Sequence, residues 1–206
     1  MNDKFYALPK EKQNRIINAG FRVFSQNSYR KSPMNEIAAE AGISKALLFF
    51  YFKNKKEFYL FLWHQVEDIT KQRLMNSNIY EGNDIFKIMY NALIAKINMY
   101  FEYPDMGNFS IRAYYERDPE IKDELLKIIE PYTQLKTSVT VPYIDPLKIK
   151  EGIDLNMMYR DMYLASEGYM YEMLQKSDGE LDIERVRDDY KKMIDFWEKI
   201  YLREAE

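Results

Sequence analysis

The sequence predicts an all-α chain, and three features carry that expectation. Apolar residues recur at three- and four-residue steps through most of the chain. Glycine and proline number only seven each, few for an all-β protein that needs many turns. Capping residues stand just ahead of several of the periodic segments.

In the first segment Ile16, Ile17, Phe21 and Phe24 alternate with Lys12, Asn14, Arg15 and Arg22, which predicts an amphipathic helix from about Lys10 to Ser25. The polar loop QNSYRK follows. Ser32 is a natural N-cap for the second helix and Pro33 suits its first position. Ile37, Ala38 and Ala41 form its inward face, and Gly42 fits the left-handed conformation that ends it. Ser44 caps a third helix two residues later.

The run LLFFYF, Leu47 to Phe52, is short enough for a buried strand, but its capped start and the absence of a strand-opening turn favour helix. On a helix Leu48, Tyr51 and Phe52 share one face. Lys45, Ala46, Phe49 and Phe50 share the other, with Leu47 at the border. Asn54-Lys55-Lys56-Glu57 has the form of a capping box and opens a long helix through Phe58, Leu62 and Val66 to about Leu74.

Further helices follow. Asp84 caps Ile85 to about Glu102, and Tyr103-Pro104-Asp105 breaks that helix. A shorter helix runs through Phe109 to Tyr115. Asp118-Pro119 opens another, which Pro131 is expected to kink. VPYIDP, Val141 to Pro146, is a break. Asp154 caps an amphipathic segment to about Lys176, SDGELD is a loop, and Leu181 to Leu202 is the last helix.

Composition narrows the function. There is no cysteine, so no disulfide framework and no thiolate chemistry. His64 is the single histidine, which makes no metal cluster. No paired histidines, glycine-rich phosphate loop or nucleophile elbow is present, so neither an enzyme nor a cofactor is expected. No apolar run approaches the roughly 18 residues of a membrane span, and the N-terminus lacks a basic-then-apolar signal, so a cytoplasmic protein is expected. The net charge of −3 hides an asymmetry: residues 1–60 carry eleven basic against five acidic residues, and the remainder nineteen against twenty-eight. A basic head on an acidic body points to one polyanion-binding region.

Two short helices about a tight turn, in basic surroundings, match a helix-turn-helix, whose second helix enters the DNA major groove. From Arg15 to Leu62 the pattern resembles the N-terminal domain of the TetR (tetracycline-repressor-like) family of bacterial transcription regulators. The resemblance rests on Ala19 and Phe24 in the first helix, Ser32 before the second, and Ile37-Ala38 with Ala41-Gly42-Ile43-Ser44 at the turn. It extends to Tyr51-Phe52 ending the recognition helix and Lys56-Glu57-Phe58 opening the next. It implies an all-α homodimer with a three-helix DNA-binding head, residues 1–54. The larger body, residues 55–206, would hold the dimer interface and a ligand cavity. Most members of the family are repressors that leave a palindromic operator when a small molecule binds. This chain has Ala46, Leu47, Phe49 and Phe50 where the family commonly has Gly, Thr, Tyr and His.

On this reading Ser32, Lys45, Tyr51, Lys53 and Lys55 are candidate phosphate contacts. Ala46, Leu47, Phe49 and Phe50 face base edges, where they would pack on thymine methyl groups. The competing reading makes Leu47, Phe49 and Phe50 ordinary core. In the body, Leu155, Met158, Met162, Ala165 and Tyr169 stripe one helix and Ile183, Val186, Tyr190, Met193, Ile194, Trp197 and Tyr201 the last, and both stripes are dimer candidates. The alternative is that they close the monomer's core. Phe61, Met89, Tyr90, Leu93, Met99, Tyr100, Phe109, Tyr114, Tyr115, Met158, Met162 and Tyr163 are candidate liners of a pocket for a small hydrophobic effector. Arg112, Glu116 and Glu167 either select ligand charge or face water. A rival overall reading is a helical interaction protein of the same fold that does not bind DNA sequence-specifically. A steep salt dependence of binding to random duplex DNA separates the two.

Overall fold

A computed structural model describes residues 3–76, 84–176 and 181–203. Helices, in order, are α1 Asp3–Tyr6, α2 Lys10–Gln26, α3 Met34–Glu40, α4 Lys45–Tyr51 and α5 Lys55–Asn76. They continue with α6 Ile85–Glu102, α7 Pro104–Tyr114, α8 Lys122–Thr140, α9 Leu155–Lys176 and α10 Ile183–Tyr201. The expected break at VPYIDP consists of two 3-10 turns, Val141–Tyr143 and Pro146–Lys148. Among the described residues no strand forms, and an isolated antiparallel bridge pairs Ile149 with Leu202.

The caps act largely where side-chain chemistry places them. Ser44 Oγ accepts the Leu47 N–H at 3.1 Å, Asn54 Oδ1 that of Glu57 at 2.8 Å, and Asp154 Oδ1 that of Met157 at 2.9 Å. Asp84 Oδ1 accepts from both Phe86 and Lys87. Each satisfies an N–H that has no partner within its own helix. Gly42 has φ 67°, where a side chain would be strained, and the chain around it returns the Ile43 N–H to the Ala38 carbonyl at 2.9 Å.

Three element boundaries differ from the expectation. Ser32 does not cap α3: the helix starts at Met34 behind Pro33, and the Ser32 hydroxyl donates backward to the Ser28 carbonyl at 3.0 Å. Tyr103-Pro104-Asp105 ends α6 but also starts α7, with Pro104 in the first turn, where its missing N–H leaves nothing unpaired. Asp118-Pro119 forms a turn, and α8 begins only at Lys122. That helix is continuous through position 131, where a kink is expected. The loop reading of SDGELD falls largely outside the described residues.

The chain divides into two compact units. One comprises the residues up to 72 together with 99–129, and the other 73–98 together with 130–206. The first unit's core is aromatic. Phe24 meets Tyr59 edge-on at 4.8 Å, Tyr59 meets Phe109 at 4.9 Å, and Phe52 meets Phe58 at 4.6 Å between ring centres. Helix α2 crosses α5 closely enough that a Cβ on Gly20 would sit 2.7 Å from both Leu62 Cδ1 and Phe58 Cζ. The short helix α1 belongs to this unit: Phe5 is fully buried against Phe52 and Phe61.

The second unit's core gathers Ile85, Phe86 and Met89 of α6, Met158, Tyr159 and Met162 of α9, and Tyr190, Ile194 and Trp197 of α10. Here the dimer stripes are corrected. Met158 and Met162 on α9, with Ile183, Val186, Tyr190, Ile194 and Trp197 on α10, are buried within the monomer. An amphipathic helix satisfies its own core first, because that burial needs no second chain. The large apolar residues left in the open are Met157, Leu164 and Tyr171 on α9 and Phe196 and Ile200 on α10.

Candidate nucleic-acid interface

Helix α4 follows α3 after the four-residue turn Ala41–Ser44 and is packed through one face. Leu48 and Phe52 are fully buried and Tyr51 nearly so, the inward face that the spacing predicts. Lys45 and Ala46 are exposed, and so is Lys53 just beyond the helix. The two phenylalanines divide. Phe50 is 48% exposed, while Phe49 and Leu47 are half-buried and pack against the first unit's core. So neither simple reading holds for the whole run: Phe50 is a surface ring, and Leu47 and Phe49 present an edge while supporting the core.

Both phenylalanine rings carry a cation. Lys45 Nζ lies 5.7 Å from the Phe49 centroid, and Lys4 Nζ lies 4.4 Å from the Phe50 centroid. The electron-rich faces attract the ammonium groups and reduce the apolar area that meets water. The outward surface of α4 is therefore apolar rings edged with positive charge. Such a surface offers van der Waals contact to base edges through Ala46, Leu47, Phe49 and Phe50, whose side chains carry no hydrogen-bond donor, and Coulombic attraction to phosphates through its lysines.

Three of the expected phosphate contacts are arranged otherwise. The Ser32 hydroxyl is buried, and its proton is committed to Ser28. Tyr51 is held in the core with its ring 6.0 Å from Phe5. Lys55 turns inward: its ammonium donates to the Arg30 carbonyl at 3.2 Å and sits 4.7 Å over the Tyr29 ring. Burial lowers the Lys55 pKa, and the carboxylates of Glu120, Asp118 and Glu116 partly oppose that shift.

Those carboxylates belong to a contact that sequence reading missed. The turn between α7 and α8 clamps the loop between α2 and α3. Glu116 Oε2 accepts the Tyr29 N–H at 2.8 Å, Glu120 Oε1 accepts the Tyr29 hydroxyl at 2.8 Å, and Asp118 Oδ2 accepts Arg30 Nε at 3.0 Å. Arg112 Nε donates to the Ser25 carbonyl at 2.6 Å. Lys56 pairs with Glu124, whose pKa is lowered chiefly by that hydrogen bond. The Tyr29 pKa is raised, mainly by burial and then by its bond to Glu120. Arg112 and Glu116 therefore brace the helix-turn-helix, a role outside both sequence readings. No local signal marks the clamp, because its partners lie 87 to 91 residues apart.

The expected pocket liners fall in both units. Phe61 and Phe109 are buried in the first core, where Met99 and Tyr114 pack against it. Tyr100 donates to Asn108 at 2.8 Å, and Tyr115 stacks edge-on with Tyr114 at 5.0 Å. Met89, Met158 and Met162 are buried in the second core, with Tyr90 and Leu93 packed on it, and Tyr163 stacks with Tyr159 at 6.5 Å. His64 pairs with Glu67 at 2.8 Å. Among the described residues no group of three or more His, Cys, Asp or Glu is placed to hold a metal, and no helix is long and apolar enough to cross a membrane.

Comparison with known proteins points the same way as the geometry. Residues 16–60 match the family described as bacterial regulatory proteins, tetR family. The chain is 21% identical over 148 residues to a fatty acid metabolism regulator protein of Bacillus subtilis, covering 72% of this chain and 76% of that one. Its fold is that of a TetR family transcriptional regulator from Chloroflexus aurantiacus, at 19% identity and a TM-score of 0.74 over 98% of this chain and 99% of that one. The fatty acid degradation regulator FadR from Bacillus halodurans shares the fold at 13% identity and a TM-score of 0.66, over 88% and 93% of the two chains.

Proposed function

We propose that this chain, whose residues 16–60 match the tetR family of bacterial regulatory proteins, is a homodimeric repressor of that family that releases a palindromic DNA operator when a small hydrophobic effector binds. The observation that carries the reading is α4 itself. It is a short helix behind a left-handed glycine turn, anchored by Leu48, Tyr51 and Phe52, with Lys45, Ala46 and Phe50 exposed on its other side. Residues 1–54 form the DNA-binding head and 55–206 the regulatory body of this cytoplasmic protein. Lys45 and Lys53 meet phosphates, and Ala46, Leu47, Phe49 and Phe50 meet base edges.

The dimer surface is the second face of α9 and α10, where Met157, Leu164, Tyr171, Phe196 and Ile200 are exposed. Apolar side chains at this density on two neighbouring helices favour a partner over water, and a two-fold dimer matches a two-fold operator. The effector class is suggested by relatives named for fatty acid metabolism and degradation; an acyl compound is the first class to test. An effector that releases DNA must bind the DNA-free state more tightly, and α5, which starts beside the clamp at Lys55, is the element that would carry the change.

Selection of bound sequences from a random DNA pool tests the core of the reading. A palindrome should emerge, with half-sites spaced for a dimer; recovery of no common sequence would refute sequence-specific binding. For the effector, equal operator affinity of the acyl-loaded and unloaded protein would remove acyl compounds as the release signal.

A further inference from the structure

We propose that Glu116, on the turn after α7, is a positioning residue for DNA binding: its carboxylate fixes the place where the chain enters and leaves the helix-turn-helix. The inference rests on the DNA-binding reading of α4.

The chain enters the motif through Tyr29 and Arg30, ahead of α3, and leaves it through Lys55, the first residue of α5. These two ends meet. The Lys55 ammonium donates to the Arg30 carbonyl at 3.2 Å and lies 4.7 Å from the centre of the Tyr29 ring. That ring is buried, and it meets Tyr59, one turn further along α5, edge-on at 5.2 Å. Between Tyr29 and α3 the chain is tightly wound. The Lys31 N–H and the Ser32 hydroxyl both donate to the Ser28 carbonyl, at 3.1 and 3.0 Å. Little slack is left before Met34, the buried first residue of α3, and α3 carries α4 on the turn Ala41–Ser44. In so closely packed a structure a shift of Tyr29 is passed on to α4.

Glu116 holds that point from both oxygens. Oε1 accepts the N–H groups of Arg117 and Asp118, each at 2.9 Å, and so shapes its own turn. Oε2 reaches across to the Tyr29 N–H at 2.8 Å. An ionised carboxylate accepts on both oxygens, and its bonds from N–H groups are stronger than those between neutral partners. Glu120 and Asp118 fasten side chains of the same loop, at the Tyr29 hydroxyl and Arg30 Nε, whereas Glu116 holds the backbone. By charge alone an acid in the unit that carries α4 opposes the approach of phosphates. Its benefit to DNA binding is geometric, so charge and geometry predict opposite signs when the acid is replaced.

The test uses the full chain, with affinity for the selected operator and for random duplex measured at one salt concentration, well below melting. Glu116→Gln keeps the shape but has one acceptor oxygen, and it sets an NH2 group against an N–H. Glu116→Asp keeps the charge and can still accept the N–H two residues on, as in an Asx turn, but it is one methylene short of Tyr29. Both variants should lower operator affinity by about 2- to 30-fold and affect random duplex much less. Asp123→Asn, at an exposed acid in the first turn of α8, controls for charge and should leave the ratio of the two affinities unchanged. A rise on both duplexes for Glu116→Gln with no change for Glu116→Asp would make Glu116 an electrostatic group and overturn the inference. A lower melting temperature in both variants with an unchanged affinity ratio would reduce its role to stability and overturn it too. A wild type that binds both duplexes equally overturns the underlying reading of α4, and this inference with it.

Discussion

Replacing Phe50 by alanine separates recognition from packing, and the structure sets the size of each effect. Full burial of a phenylalanine side chain stabilises a fold by about 1.5–3 kcal/mol. Phe50 is 48% exposed, so roughly half of that, about 1 kcal/mol, is at stake. The Lys4 contact adds about 0.5–1 kcal/mol, and the higher helix propensity of alanine returns about 0.5 kcal/mol. The net loss is about 1–1.5 kcal/mol, a fall in melting temperature of about 2–6 °C for a chain of this size. Leu48→Ala, by contrast, empties a fully buried position on the same helix and should lose about 2–5 kcal/mol.

DNA binding should respond in the opposite order of importance. Loss of a base contact weakens specific binding by about 1–3 kcal/mol per position and leaves binding to random duplex much closer to wild type. The assay is fluorescence anisotropy with operator and random duplexes, alongside thermal melting of the same preparations. Refutation would take one of two forms: a melting loss for Phe50→Ala as large as that for Leu48→Ala, or an unchanged ratio of operator to random affinity.

Three other perturbations follow from the same structure. Gly20→Ala adds a methyl 2.7 Å from Leu62 Cδ1 and Phe58 Cζ, both on fully buried side chains; overpacking of about 1–3 kcal/mol should outweigh a propensity gain of about 1 kcal/mol, so calorimetry should show a lower melting temperature, and a rise would mean that α2 and α5 part readily. Burial raises the phenol pKa of Tyr190 to about 12 and that of Tyr59 further, against an ordinary value of 10.0. Above pH 10 the unfolded chain then binds fewer protons than the folded one, and stability should fall as pH rises, by about 1.4 kcal/mol per pH unit for each buried phenol; denaturant melts that are flat from pH 9 to 11 would contradict this. Leu164→Glu places a charge on the exposed face of α9 and should convert dimer to monomer in sedimentation velocity with the melting of the monomer unit little changed; a dimer that survives both this and Phe196→Glu would place the interface elsewhere.

What could be read from the sequence was mainly local. Ser44, Asn54, Asp84 and Asp154 cap where a short polar side chain precedes an apolar-periodic run, and Gly42 turns where only glycine fits comfortably. The inward face of α4 followed from helical spacing. What was missed depends on distant partners. Ser32 looked like a cap, but a hydroxyl four residues from the Ser28 carbonyl had a competing bond. The stripes on α9 and α10 were visible, yet periodicity cannot say whether a stripe meets its own chain or another. Lys55 and the clamp by Glu116, Asp118 and Glu120 were invisible, since nothing in a neighbouring turn announces an ion pair formed across the fold. Helix α1 is too short for a period, and only Phe5 in the aromatic core gives it a place.

The central claim is that the basic, aromatic surface of α4 binds duplex DNA, and the most direct measurement is the affinity of the full chain for random and selected duplexes across salt. The account predicts that log affinity falls linearly with log salt on both, with a slope of about −0.9 for each phosphate contacted, and that Phe50→Ala lowers affinity for the selected duplex while leaving that slope in place. Affinity independent of salt, or equal for the two duplexes in wild type and variant alike, would contradict it.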